Sequence, residues 1–247
     1  MIEKLSMAEY PPITFKKLGR TLPKLPKKKP KKRIRIGDFA QFGYCPYTAW
    51  HLAKRTTPIF VPKVKEAQIA GKNIHNQLDV KHEEKMAELP KATEKTMQDR
   101  YKPLMFPRNL PVYLYHKPFL YVGLIDNACR EKDGDIHIIE DKTTKRIMYW
   151  PWKDNLLQVK AYCAGMANTY WRKFDARYLR WHIRYRDRSS GEHLNDFEGM
   201  YGSTSHEDLF ESLGVFEAIY QGEDISVEVN PKRCVVCKYA NGCSFKA

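Results

Sequence analysis

The chain has no run of 18 consecutive apolar residues, so no segment reads as a membrane-spanning helix. Its first eleven residues include Glu3 and Glu9 and lack the apolar centre of a secretory leader, so an intracellular, cytoplasmic protein is expected. No internal repeat is visible, which removes repeat architectures. Acid is in short supply: 29 Asp and Glu stand against 43 Lys and Arg, a formal net charge of +14. A basic surplus of that size suits a polyanionic partner, with nucleic acid first and no membrane partner. Disulfides are also not expected, because six cysteines in a reducing compartment suit metal binding better.

What is present supports one large domain with appendages. A chain of 247 residues buries roughly 70–75% of its unfolded surface. Aromatic residues make up 13%, with 15 Tyr and 5 Trp; most belong in a core, and some are available to stack on bases. Residues 1–35 read as a basic, Pro/Lys-rich flexible arm, because Pro23, Pro26 and Pro30 interrupt the cations. Its run Lys27, Lys28, Lys29, Lys31, Lys32 and Arg33 suits phosphate contact, or nuclear import in a eukaryotic cell, or only a solvated tail.

Residues 36–247 read as the folded domain: a helical part over 36–90, a core over 104–190 and a cysteine segment over 231–247. Within the first part, Asp38 is a possible N-cap for a helix reaching Leu52, and a second helix covers Val64 to Leu89. Gly71 and His75 share one face of that second helix, where the glycine would admit a neighbouring strand or a nucleic-acid backbone. Lys91 to Arg108 reads as a loop or lid, followed by strands over Pro111–His116 and Pro118–Arg130. A helix over Lys153–Arg172, with Asp154 as N-cap, carries Gln158 and Tyr162 four residues apart. Ala176–Arg186 alternates so that Arg180 and Arg184 line one wet, cationic strand face open to nucleic acid. A helix over Ser205–Tyr220 opens on the capping-box pair Ser205 and Asp208. Helices, then strands, then a helix and a strand imply a mixed central sheet flanked by helices, an α/β (α+β mixed) fold.

Two clusters carry chemistry. The first is Gly123 to Lys142, read as a hairpin of Leu120–Asp126 and Asp135–Lys142 about the turn Asp133-Gly134. The strand period of two places Glu140 and Lys142 on one face and turns Asp141 away, unless a bulge exchanges the two acids. Asp126 and Glu140 could then share a divalent cation, and carboxylate oxygens suit Mg²⁺ or Mn²⁺. The second cluster is Cys234, Cys237 and Cys243, a C-x₂-C-x₅-C segment that needs a fourth ligand for zinc or a 4Fe-4S cluster. Cys45, Cys129 and Cys163 are the candidates, and Cys45, between Tyr44 and Pro46, is the best placed to staple the two ends of the domain.

In their order along the chain, these residues resemble the RecB-like branch of the PD-(D/E)xK nucleases, and within it the iron–sulfur nucleases that include the CRISPR-associated Cas family four. The resemblance runs through Cys45, Gly71 and His75, the strand Gly123-Leu124-Ile125-Asp126, Glu140-Asp141-Lys142, Gln158 with Tyr162, and Cys234, Cys237 and Cys243. It implies a restriction-endonuclease-like core and a 4Fe-4S cluster held by the four cysteines. It also implies a Mg²⁺ or Mn²⁺ site formed by His75, Asp126 and Glu140, with Lys142, Gln158 and Tyr162 completing the catalytic set. The expected activity is hydrolysis of DNA phosphodiesters, as an exonuclease on single strands or duplex ends. The alternatives are a subunit that binds DNA ends for a larger complex, such as one for CRISPR adaptation, or a zinc-stapled adaptor.

Overall fold

The computed structural model describes residues 12–26, 30, 32–55, 62–88, 94–235, 237–240 and 243–245. The chain opens with α1 (Phe15–Thr21), β1 (Arg33–Arg35), α2 (Ile36–Ala40), a 3₁₀ turn (Gln41–Gly43) and α3 (Thr48–Ala53). The long α4 (Pro62–Glu88) and short α5 (Glu94–Gln98) follow, then β2 (Leu104–Met105), β3 (Leu110–His116), β4 (Phe119–Ile125), β5 (Asn127–Arg130) and β6 (Ile136–Thr144). The remainder is α6 (Lys153–Tyr170), β7 (Leu179–Asp187), β8 (His193–Met200), α7 (Ser203–Gln221) and α8 (Pro231–Cys234). This is a mixed α/β architecture in which helices flank mixed sheets.

Two sheets replace the expected single one. β1, β4 and β3 form a three-stranded sheet, and β2, β5, β6, β7 and β8 form a five-stranded one. The segment expected to be one strand over 118–130 breaks at Asp126: Phe119–Ile125 pairs with β3 and β1, and Asn127–Arg130 pairs with β6. The hairpin about Gly134 is therefore β5–β6 rather than Leu120–Asp126 with Asp135–Lys142. Gly134 has a positive φ of 86°, which glycine adopts without a Cβ penalty. Asp126 is thus the last residue before the chain changes sheets.

The central helix is α6, the connection between the parallel strands β6 and β7. Its small residues Ala161, Ala164, Gly165 and Ala167 are buried and let strands approach closely, while Leu157, Val159 and Met166 fill the gaps. Fully burying an aliphatic side chain of this size stabilises by about 1.5–3 kcal/mol relative to exposure. Trp152 takes the N-cap position of this helix, and Asp154 lies in its first turn instead. Similarly Gly202, not Ser205, precedes α7, and Ser205 is buried. Asp38 lies in the first turn of α2, where Arg35 donates to both of its carboxylate oxygens at 2.7 and 3.0 Å.

The stretch read as a flexible arm contains a packed helix. Thr14 caps α1 by accepting from the Lys17 backbone N–H at 3.3 Å. Phe15, Leu18 and Leu22, spaced i, i+3, i+7, are buried on one face of it against the core. Pro12 precedes the helix and Pro23 follows it, so no proline falls inside. Ile34 is likewise buried, on β1 paired in parallel with β4. Charge counting hid three apolar residues at helical spacing. The expected loop over Lys91–Arg108 includes α5 and β2, and β8 is a polar edge strand without the alternation that marks a half-buried one.

Candidate active site

β6 delivers the first two side chains. Its pairing with β7 runs unbroken from Ile136↔Leu179 to Thr144↔Asp187, so no bulge exchanges Glu140 with Asp141. Glu140 and Lys142 face α6, and Lys142 Nζ lies 2.7 Å from Glu140 Oε1. Gln158, on α6, joins the pair: its Oε1 accepts from Lys142 Nζ at 2.9 Å, and its Nε2 donates to Glu140 Oε1 at 3.1 Å. The same Nε2 lies 3.0 Å from the Tyr162 hydroxyl, one helical turn on. The spacing of Gln158 and Tyr162 thus becomes one connected network with the two strand residues.

The other two members come from the sheet change and from α4. His75 Nδ1 stands 3.5 Å from Asp126 Oδ2, with both side chains about one-third exposed. α4 reaches the sheet through Gly71, where an added Cβ would be 3.3 Å from Thr143 Oγ1 of β6. The glycine therefore lets helix and strand approach, which was one of its two expected uses. Asp126 and His75 both act electrostatically on Glu140, which places all four groups in one locale.

Burial dominates the electrostatics. It pushes the Glu140 carboxyl above its ordinary value; Asp126 adds to the rise, and Lys142 opposes it. Burial also works against the Lys142 ammonium, but Glu140 outweighs it and holds the lysine's pKa up. Tyr162 is raised by burial first and then by Glu140, so its hydroxyl stays protonated. A further acid enters that the sequence placed only as a cap. The carboxyl of Asp154 is pushed up by burial, feels the Lys142 charge, and leaves Oδ1 buried without a hydrogen-bond partner among the described residues. Nothing in the sequence separates this role from first-turn capping.

Asp141 points the opposite way and has a different task. Arg184 reaches its Oδ2 at 2.8 Å and Arg186 its Oδ1 at 2.7 Å. On the same strand Arg180 pairs with the fully buried Asp135 at 2.8 Å. The cationic face expected on β7 is therefore largely neutralised by internal acids, since Arg180 and Arg184 are both engaged. Of the arm residues expected at phosphates, Lys27, Lys28, Lys29 and Lys31 lie outside the described residues. Lys32 Nζ stands 5.1 Å from the centroid of the Phe119 ring, and Arg33 is exposed on β1.

The cysteines gather elsewhere. Cys45, Cys234, Cys237 and Cys243 line one small cavity, all as free thiols. Arg233 joins the two ends of the domain beside it, donating to the Gly43 and Tyr44 carbonyls at 2.9 and 2.7 Å, while the Tyr44 hydroxyl donates to the Arg233 carbonyl at 3.0 Å. Burial and then the neighbouring thiols raise the Cys45 pKa. Cys163 is fully buried in the core, and Cys129 stands 3.4 Å from Glu131 on β5. His51, which the sequence did not single out, also lines the cavity. It is 2% exposed, stacks on Tyr239 at 4.3 Å, and has no hydrogen-bond partner among the described residues at either ring nitrogen.

The donor chemistry at both places suits the groups expected from the sequence. Two carboxylates and an imidazole suit Mg²⁺ or Mn²⁺, and four thiols with a buried imidazole suit a thiolate-held cluster. Among the described residues, however, no three His, Cys, Asp or Glu side chains converge tightly enough to hold a single ion. At the first place Glu140 Oε1 is instead engaged by Lys142 and Gln158. Nor is any helix among the described residues long and apolar enough to cross a membrane.

Solved structures similar to the chain include the following two. The chain is similar to the protein SSO0001, at 12% identity and a TM-score of 0.48, over 93% of each chain. It is also similar to a protein of Eubacterium rectale named "Putative exonuclease", at 11% identity and a TM-score of 0.43, over 88% of this chain and 90% of that one. At TM-scores below 0.5 the shared trace is loose, and neither neighbour carries weight on function. No family model matches the chain, and no curated protein does.

Proposed function

We propose that this protein is a metal-dependent deoxyribonuclease of the RecB-like PD-(D/E)xK type, an exonuclease on single strands or DNA ends, stabilised by a 4Fe-4S cluster. The observation that carries the reading is the network joining Lys142, Glu140, Gln158 and Tyr162 beside Asp126 and His75. Ion pairs between lysine and glutamate are common on strands. A buried glutamate paired with a half-buried lysine and bridged by a glutamine from the next helix, with a second carboxylate and a histidine alongside, suits metal-assisted phosphodiester hydrolysis.

Asp126, Glu140 and His75 would hold Mg²⁺ or Mn²⁺, which supplies positive charge to the phosphate and eases deprotonation of water near neutral pH. The chain's own residues do the rest. Lys142, kept charged by Glu140, is placed to orient the attacking water or to stabilise charge developing on the phosphate. Gln158 fixes the lysine and glutamate relative to each other by bonding both. Tyr162 anchors Gln158 by accepting from its Nε2, and it stays neutral, so it adds no charge to the site. Cys45, Cys234, Cys237 and Cys243 would hold the cluster away from this chemistry, as a staple between the two ends of the domain. The choice of iron–sulfur over zinc rests on the resemblance.

Anaerobically purified protein, incubated with end-labelled single- and double-stranded DNA, tests the reading. Cleavage that appears with Mn²⁺ or Mg²⁺ and stops with chelator is the expected result. A folded, cluster-loaded protein that binds DNA ends without cutting them would favour the end-binding subunit instead.

A further inference from the structure

The connection between β6 and α6 is a short segment whose two stems are clamped at the site just described. Lys142 leads into it and Gln158 follows it, with Lys142 Nζ and Gln158 Oε1 2.9 Å apart. Within it, two residues are anchored. The Met148 backbone N–H donates to Asn195 Oδ1 at 3.3 Å, its carbonyl accepts from Asn195 Nδ2 at 2.8 Å, and its side chain is buried. Four residues on, the Trp152 backbone N–H donates to the Tyr185 hydroxyl at 3.1 Å, which also accepts from Asn155 at 2.9 Å.

Between these anchors the chain turns its largest side chains outward. Tyr149 is 80% exposed and Trp150 70% exposed, although aromatic rings of this size normally supply core packing. Pro151 limits the backbone between them and the helix. Lys145 and Arg146 on the same segment and Lys153 at the start of α6 are also exposed, so three cations flank the rings in sequence. Aromatic faces and ammonium or guanidinium groups on one anchored loop match a partner that has flat π-systems on an anionic backbone. An uncharged bilayer or an apolar protein surface would use the rings but not the surrounding charge.

We propose that Tyr149 and Trp150 form a base-stacking platform for single-stranded DNA, with Lys145, Arg146 and Lys153 holding its phosphates. The placement of this platform beside a hydrolytic centre rests on the nuclease reading; the binding itself does not. Bases inside a duplex are already stacked on each other and present no free face. The platform therefore favours single strands, since a duplex offers only the outer faces of its two terminal pairs.

The test is equilibrium binding without catalysis, in chelator, using fluorescein-labelled oligothymidine, an abasic phosphodiester strand of equal length, and a blunt duplex. The wild-type protein should bind oligothymidine more tightly than the abasic strand. Tyr149→Ala/Trp150→Ala should lose about 5- to 100-fold in affinity for oligothymidine and should no longer distinguish it from the abasic strand. Trp150→Phe, which keeps a ring, should retain most of the affinity, and thermal melting of each variant reports folding separately. Equal wild-type binding to the base-bearing and abasic strands would overturn the proposal, as would unchanged affinity in a folded double variant or an equal loss on the duplex. If the wild type cleaves DNA with Mn²⁺ while the double variant binds normally, the platform fails and the nuclease reading stands. If the wild type discriminates bases as expected but never cleaves, the nuclease reading fails and the platform stands.

Discussion

Gly123 on β4 faces Tyr162 on α6 so closely that a Cβ at residue 123 would lie 2.6 Å from Cε1 of the tyrosine ring and 2.9 Å from Cδ1 of Ile36. The tyrosine is buried and bonded to Gln158, so it has little room to yield. This contact ties a strand of the three-stranded sheet to the network on the five-stranded one.

Gly123→Ala should therefore cost about 1–3 kcal/mol of stability through overpacking. It should also lower cleavage beyond what unfolding explains, because a displaced Tyr162 releases Gln158. Melting curves and single-turnover cleavage of the same preparation check both effects. An alanine variant with unchanged melting and rate would mean that the approach of the two residues is unimportant.

Phe15 is 1% exposed on a helix that charge and proline content had assigned to a flexible arm. Phe15→Ala should cost about 3 kcal/mol, near the lower end for a fully buried ring. Chemical denaturation of the full chain measures it. A loss below about 0.5 kcal/mol, typical of surface positions, would return the segment to an arm.

Asp141 tests the far face of β6. Burial pushes its carboxyl up, but Arg184 and Arg186 outweigh burial and hold it below the ordinary carboxylate range. A folded-state pKa below the unfolded value of about 3.9 stabilises the fold above that pH and is lost as pH falls through the lowered pKa. Asp141→Asn should thus cost about 2–3 kcal/mol at neutral pH, with both guanidiniums partly reaching solvent. The difference from wild type should shrink below about pH 4. A difference that persists unchanged into acid would assign the effect to packing and not to the ion pairs.

Cys45→Ser removes one of the four thiols that line the cavity. Anaerobically purified variant should lose most of its iron and its visible charge-transfer absorbance, and melt earlier. Cys129→Ser, on β5 and away from that cavity, should retain both. Full iron content in the Cys45 variant would remove this residue from the ligand set.

How far the sequence reaches depends on whether a residue's neighbours are local. The period of two on β6 correctly separates Glu140 and Lys142 from Asp141, and helical spacing puts Gln158 beside Tyr162. Both are consequences of backbone geometry a few residues long. The hairpin partner of β6 is not legible locally because Leu120–Ile125 and Asn127–Arg130 are both extended and separated by Asp126 alone, with no turn signal; the division comes from the tertiary change of sheet there. Arg180 and Arg184 looked available for nucleic acid because their partners Asp135 and Asp141 come from the neighbouring strand, which no local pattern reveals. Trp150 and Tyr149 stayed hidden among the aromatics for the opposite reason: exposure is a property of the fold, and a tryptophan's default is burial.

The central claim is that Lys142, Glu140 and their companions hydrolyse phosphodiesters. Its most direct test is single-turnover cleavage of end-labelled single-stranded DNA in Mn²⁺ by wild type and Lys142→Ala, each verified by melting and iron content. Loss of a preorganised charge at the developing transition state should lower the rate by about 100- to 1,000-fold, with fold and cluster intact. Cleavage by a folded Lys142→Ala protein within about two-fold of wild type, far short of that loss, would contradict the account.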